Sequence, residues 1–396
     1  LSDFFYVWLR RTVGQLYPEL FSTVLVPKMP ELTASPERFD GDKEQAREHF
    51  ESGFRKTFTA LRERLDPRFP LTVYYAFKQE DTEEDGDDEA GNGASAVDLT
   101  TGWETLLDAL IFTGFQITGT WPVRASQKWR MVAMDTNALA SYIVLACRPR
   151  SADAKQVGRR EFLAELKKEL PVALRLLQQG NVAPVDFAQA AIGPGMAIFT
   201  RYGKVIEANG QPMTVRTALS LINQTLDEVL AEQEGEFDAD TRWAVAWFDQ
   251  HAHAEGEFGD AETLSKAKNV GMNGLVEAGI LNARAGKVRL LRRDELDADW
   301  DPSTDERLTV WEMTQHLIRA LNEQGESGAG ALLRKIGAKG EVARDLTYRL
   351  FQICERRKWA QEAIDYNSLV IAWPEITKLA RSTPAAKGPQ QQEFQQ

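Results

Sequence analysis

Leu71-Thr-Val-Tyr-Tyr-Ala-Phe-Lys-Gln79 is a short apolar run rich in β-branched and aromatic residues, the composition of a buried strand. An acidic stretch follows it, and then Thr101-Gly-Trp-Glu104. There the Thr hydroxyl and the Glu carboxylate form a capping box ahead of a helix carrying Leu106, Leu107, Leu110 and Ile111. Gly114 is placed to end that helix. Phe115 to Val123 and Ser141 to Cys147 read as two further strands, the second closed by Pro149. Strand, helix and then a strand pair with a long connection predict the last part of a Rossmann-like sheet that ends in an antiparallel hairpin.

Such a sheet needs earlier strands, and the residues before Leu71 supply almost none. The first residue is Leu, so the expectation is the C-terminal part of a longer polypeptide, cut inside a domain. The predicted fold class is α/β plus α. Residues 1–150 form the α/β portion, with an acidic flexible insertion over 80–100. A helical segment over 151–235, a winged helix over 236–300, a helical bundle over 301–378 and a disordered tail over 379–396 follow it.

The chain has 396 residues, enough for two or three cores. No apolar run is long enough to span a bilayer, so cytoplasm is the default location and a membrane partner is not expected. Cys147 and Cys354 lie in apolar patterns far apart, which predicts buried thiols rather than a disulfide or a zinc site. His251 and His253 have no Cys or further His nearby, so no metal is expected. The formal net charge is −12, yet eight of the acids fall in the run Glu80 to Glu89. The remainder is close enough to neutral for local basic patches to hold nucleic acid.

Leu1-Ser-Asp-Phe-Phe-Tyr-Val-Trp-Leu-Arg-Arg11 is densely aromatic and helical in character, ending near Gly14, with Phe4, Val7 and Trp8 on one face. Taken alone it reads as a core helix. Phe50, Phe54, Phe58, Leu61 and Leu65 mark an amphipathic helix, stopped by Asp66-Pro67. Beyond Arg150 the pattern turns helical, with Phe162, Leu163, Leu166 and Leu170 in one stripe and Pro171 set to kink it or to start a second helix. Gly193-Pro-Gly195 lacks the third glycine of a dinucleotide fingerprint and reads as a turn. Val215, Leu219, Ile222, Leu226 and Val229 mark another amphipathic helix.

Between Asp240 and Glu295, a Trp-rich helix, two short helices and the basic hairpin Asn282-Ala-Arg-Ala-Gly-Lys-Val-Arg-Leu-Leu-Arg-Arg293, turning at Ala285-Gly286, outline a winged helix. Such modules serve DNA or protein, and both readings stay open. Ser303 and Glu306 are placed to cap a helix carrying Trp311, Leu317 and Ile318, and Val342, Leu346, Leu350 and Ile353 mark a later one.

The opening phrase Leu1 to Arg11, with Pro27-Lys28, Glu31-Leu32 and Pro36 behind it, resembles a family of adenine-specific DNA methylases. These carry an N-terminal domain of unknown function and often sit in anti-phage gene clusters. Asn137-Ala-Leu-Ala-Ser141 leading into Ile143 to Pro149, and Ala190 to Met196 leading into Arg201-Tyr202, add to the resemblance, which runs to about Trp373. It implies an S-adenosylmethionine-dependent methyltransferase acting on the exocyclic amine of adenine. In that family the aromatic opening follows an Asp-Pro-Pro-Tyr motif that aligns a flipped-out base.

The motif and the Gly-rich cofactor loop are absent here, and Asp66-Pro67-Arg68-Phe69 is not a substitute. Catalytic residues are therefore not assigned in this chain, which alone is expected to be inactive. Ser2, Asp3 and Tyr6 are placed near the base or the cofactor, because they follow the motif's position so closely. Expected partners are DNA and other proteins of a defence gene cluster. The candidate DNA contacts are Lys28, Arg124, Lys128, Arg130, Arg201, Arg284, Lys287 and Arg289, with Trp121 and Trp129 as stacking aromatics. Solvated loop cations beside core tryptophans is the competing reading. Lys78, at the end of the first strand, is a weaker candidate.

Overall fold

The computed structural model describes residues 2–28, 31–33, 35–75, 101–124 and 141–382, apart from the side chains of 101–103, 122, 124, 141 and 142. Lys78, Lys128, Trp129, Arg130, the acidic run and residues 383–396 lie outside the described residues. The fold is mixed α/β and mostly helical, with small sheets. It divides into two compact units, one of Leu1–Phe69 with Ser95–Phe115 and one of Pro70–Ala94 with Gln116–Gln396.

In the first unit, α1 (Ser2–Thr12) is followed by an irregular stretch and then by α2 (Lys43–Arg64). The Asp42 carboxylate caps α2, accepting from the backbone N–H of Glu44 at 2.9 Å and of Gln45 at 3.1 Å. Phe50, Phe54 and Phe58 meet at i,i+4 spacing along it, with ring centroids 4.7 and 5.7 Å apart. α2 packs on α3 (Thr101–Phe112), whose Leu106, Leu107 and Leu110 are fully buried. Gly114, at φ 81°, ends α3 in the left-handed region that favours glycine.

The expectation that α1 is a core helix is overturned. Phe4 is 60 % exposed and Trp8 61 %, Phe5 and Leu9 are about half exposed, and only Tyr6 is buried. The reason lies in which face is fastened. Tyr6 hydroxyl lies 2.7 Å from Thr23 Oγ1, and its ring centroid is 5.4 Å from that of Phe21. Asp3 accepts from the Val26 backbone N–H at 3.2 Å. These contacts turn the aromatic face outward.

The second unit opens with β1 (Leu71–Tyr75), β2 (Phe115–Arg124) and β3 (Ser141–Pro149). They pair in the order β1-β3-β2, with β3 antiparallel to β1 in the register Leu71↔Cys147 to Tyr75↔Ile143. A two-stranded parallel pair, β4 (Gln156–Gly158) with β5 (Lys204–Ile206), brackets α4 (Arg159–Gln179) and α5 (Pro184–Arg201). α6 (Val215–Gln233) completes a three-helix layer and is capped by Thr214, which accepts from Thr217 N–H at 3.1 Å. Pro171 sits inside α4 without starting a new helix. The buried stripe Phe162, Leu166, Leu170, Leu174 and Gln178 runs straight past it.

Gly193-Pro-Gly195 is not a turn but the middle of α5, which corrects the sequence expectation. A Cβ on Gly193 would stand 1.8 Å from the Thr120 hydroxyl of β2, and one on Gly195 2.5 Å from Ile222 of α6. The two glycines let α5 lie directly against strand and helix at once. Thr200, the last residue but one of α5, accepts from the Ile117 backbone N–H at 2.9 Å and so ties the helix to β2.

The chain then runs helix, strand, helix, helix, hairpin: α7 (Ala239–His251), β6 (Gly256–Glu257), α8 (Phe258–Lys268), α9 (Met272–Glu277), β7 (Leu281–Arg284) and β8 (Lys287–Leu290). The sheet order is β6-β8-β7. Ala285 and Gly286 both have positive φ, 52° and 79°, as a two-residue hairpin loop requires.

Three long helices close the fold: α10 (Val310–Ile336), broken at Gly325, then α11 (Gly340–Arg357) and α12 (Ala360–Arg381). α12 reaches three residues beyond the predicted end of the bundle. Ser303 and Glu306 do not open α10; Thr309 does, accepting from Glu312 N–H at 3.1 Å. One core joins α7–β8 to the bundle, with Trp243, Trp247, Trp311 and Trp373 all within it.

Candidate nucleic-acid interface

Of the cations and polar groups that the sequence marks, most of those with described side chains have internal partners. Lys28 Nζ lies 2.9 Å from the Asp3 carboxylate and donates to Ser2 Oγ at 3.1 Å. The hydrogen bond from Lys28 holds Asp3 below the usual carboxylate range. Ser2, Asp3, Tyr6 and Lys28 thus form one clasp between α1 and the stretch that follows it. Arg201, at the end of α5, makes a two-pronged ion pair with Glu169 of α4, both contacts 2.8 Å. Arg124 ends β2, and its side chain is outside the described set. Trp121, three residues earlier, is 56 % exposed.

On the hairpin, Lys287 pairs with Glu257 of β6, and Arg289 pairs with Glu295 at 2.5 Å. The Arg289 hydrogen bond, followed by one from the Arg292 backbone N–H, brings Glu295 down to about 2. Arg284 is exposed and has no ion pair among the described residues. α9, the third helix of this module, exposes Asn273, Val276 and Glu277 and no cation. At the hairpin the module therefore offers a phosphate Arg284 at the loop and Arg292 just beyond it, both exposed and without an ion pair among the described residues, while Lys287 and Arg289 are already paired.

Sequence reasoning missed the strongest charge cluster. Arg293, read as part of the basic hairpin, sits in a short turn after it and inserts between α10 and α12. It pairs with Glu362, meets Asp365 at 2.5 Å, and donates from Nε to Gln315 Oε1 at 2.9 Å. Glu362 also accepts from Tyr366 at 2.9 Å and faces His253 Nε2 at 3.4 Å. Burial works against the Glu362 charge, but His253 and Arg293 outweigh it and hold the carboxyl down at about 2. No local signal marks the pairing, because the partners are separated by some seventy residues of chain.

A second buried group lies at the start of α10. Glu312 is pushed up to about 9, first by burial and then by the Asp305 carboxyl beside it. Asp305 accepts from Trp300 Nε1 at 2.8 Å, and the Trp300 ring stacks on His316 with centroids 4.0 Å apart. Burial takes His316 down to about 4. Cys147 and Cys354 are buried, free thiols, and burial raises Cys147 to about 12. Among the described residues no group of three or more His, Cys, Asp or Glu is placed to hold a metal ion, and no helix is long and apolar enough to cross a membrane.

Residues 238–394 match the model of a family described as a domain of unknown function (DUF8807). The match begins at Asp238, the cap of α7, and takes in both the hairpin module and the three long helices. No curated protein and no solved structure matches the chain.

Proposed function

We propose that this chain is the C-terminal part of an S-adenosylmethionine-dependent DNA adenine methyltransferase of an anti-phage or restriction-modification-like system. The observation that carries the reading is the sheet order. β1, β2 and β3 follow one another in sequence with α3 between the first two, yet β3 lies between β1 and β2 and runs antiparallel to β1. A Rossmann-like sheet ends this way when its last strand slots back between the two before it. The outward aromatic face of α1 is the second support, since a helix with Phe4, Phe5, Trp8 and Leu9 exposed suits a domain completed by further polypeptide.

On this reading the upstream portion supplies the donor loop and the aligning motif, and S-adenosylmethionine is the methyl donor. Residues 236–300 are a winged helix, with α7, α8 and α9 as its three helices and β7–β8 as its wing. Tritiated S-adenosylmethionine and an adenine-containing duplex test the proposal. The full-length polypeptide is expected to label DNA, and residues 1–396 alone are not. Absence of label with the full-length polypeptide overturns it.

A second reading, a non-catalytic assembly subunit of a defence complex, is favoured by the charges of the winged helix. Lys287 and Arg289 are paired within it and α9 exposes no cation. Phosphate gripping produces a steep loss of affinity with salt. A shallow slope for duplex binding, together with no methyl transfer, selects the assembly role.

A further inference from the structure

Where α11 and α12 meet the link between α4 and α5, they enclose a cleft of about 270 Å³. Trp373, Thr377 and Arg381 line it from one stripe of α12, four residues apart and hence one above another. Arg344 of α11 and Asn181 of the link line it from the other side.

The donors on this stripe are unmatched. Trp373 is 1 % exposed, and its indole N–H has no acceptor among the described residues. The Thr377 hydroxyl, also shielded, has no partner among them either. Arg344 is different: it is paired with two carboxylates, Glu341, which also lines the cleft, at 2.6 Å and Asp345 at 2.8 Å, and it donates to Asn181 at 3.2 Å. Its guanidinium lies 5.8 Å from the centre of the Trp373 ring, which fixes that wall. Arg381 is exposed and forms no ion pair among the described residues. The stripe therefore presents an N–H that only donates, a hydroxyl and one uncompensated positive charge.

We propose that this cleft binds a small oxyanion, a carboxylate or phosphate group whose oxygens accept from Trp373 Nε1, Thr377 Oγ1 and Arg381. An ammonium or other pure donor would leave the Trp373 indole N–H unmatched, because that group accepts nothing. A single bridging water is too small for the space, since a water takes up about 30 Å³ in the liquid. Because Trp373 Nε1 and Thr377 Oγ1 are both shielded, binding requires side chains at the mouth to move aside. The site is independent of the methyltransferase reading.

Calorimetric titration of the chain with sodium acetate and, separately, with inorganic phosphate tests this and separates the two sources. At least one anion is expected to bind with one-to-one stoichiometry. Thr377→Val and Arg381→Gln are each expected to weaken it about tenfold, the effect of losing one hydrogen bond to a charged group. Trp373→Phe, which keeps a ring in the wall, is expected to do the same. Arg381 is on the surface, so Arg381→Gln serves even if a variant within the bundle fails to fold. No saturable binding of either anion, or affinity unchanged in Thr377→Val and Arg381→Gln, overturns the proposal.

Discussion

The two ends of the chain use aromatic side chains in opposite ways. In α1 the large rings point to solvent and the polar residues make the contacts that hold the helix in place. From α7 to α12 the rings form the core: Trp243, Trp247, Trp311 and Trp373 are all at most 1 % exposed. Similar residues at similar helical spacing thus give opposite burial. Periodicity fixes which residues share a face, while the surface opposite decides whether that face is buried.

The contrast is broken most directly by truncating one ring at each end. Trp311→Ala should destabilise the second unit by about 3–5 kcal/mol through lost burial and the cavity left behind. Trp8→Ala should change stability by less than about 0.5 kcal/mol. Urea unfolding of both variants measures the difference, and a large effect at Trp8 would mean that the α1 face is covered in solution.

Arg293 sharpens the comparison, because here the well-packed end depends on charge as well as on rings. Glu362→Gln leaves the guanidinium with a weakened partner set and should destabilise by about 3 kcal/mol, the scale for breaking a buried pair. Tyr366 loses a charged acceptor in the same variant. Denaturation midpoints of Glu362→Gln and of the exposed pair variant Lys287→Gln should differ clearly, with Lys287→Gln near the wild type.

The smallest of the three effects is a pH dependence. Glu312 has its folded-state pKa raised to about 9 from an ordinary 4.5. The folded protein then holds a proton that the unfolded chain has released, so this stability is present in acid and is lost as pH rises through that window. Between pH 7 and 9 His316, at about 4, is neutral and does not contribute. The wild type should lose on the order of 2 kcal/mol over those two pH units, and Glu312→Gln should flatten the profile. Urea midpoints at pH 7 and pH 9 give the answer.

Much of the framework was legible. β1, β2, β3, α2, α3 and the Ala285-Gly286 hairpin were each marked by apolar pattern, a cap or a turn residue, all of which are local signals. What was hidden depended on distant chain. Gly193-Pro-Gly195 has the composition of a turn and becomes helix because Thr120 and Ile222 demand a close approach. β4 and β5 are three residues each, too short for alternation to declare itself. Ser303 and Thr309 both stand three residues ahead of a glutamate, and only the second caps α10. For the candidate interface, residue type located the cations but not their carboxylate partners, and the partners decide whether a charge is left for phosphate.

The burial of Arg293 has a mechanical consequence. The turn that carries it leaves the hairpin directly, and its side chain is gripped by residues on both α10 and α12. Hairpin and long helices are thereby geared together. The shared core beneath the hairpin is thus reinforced at its edge by a charge contact whose direction, unlike that of apolar packing, is fixed by the planar guanidinium.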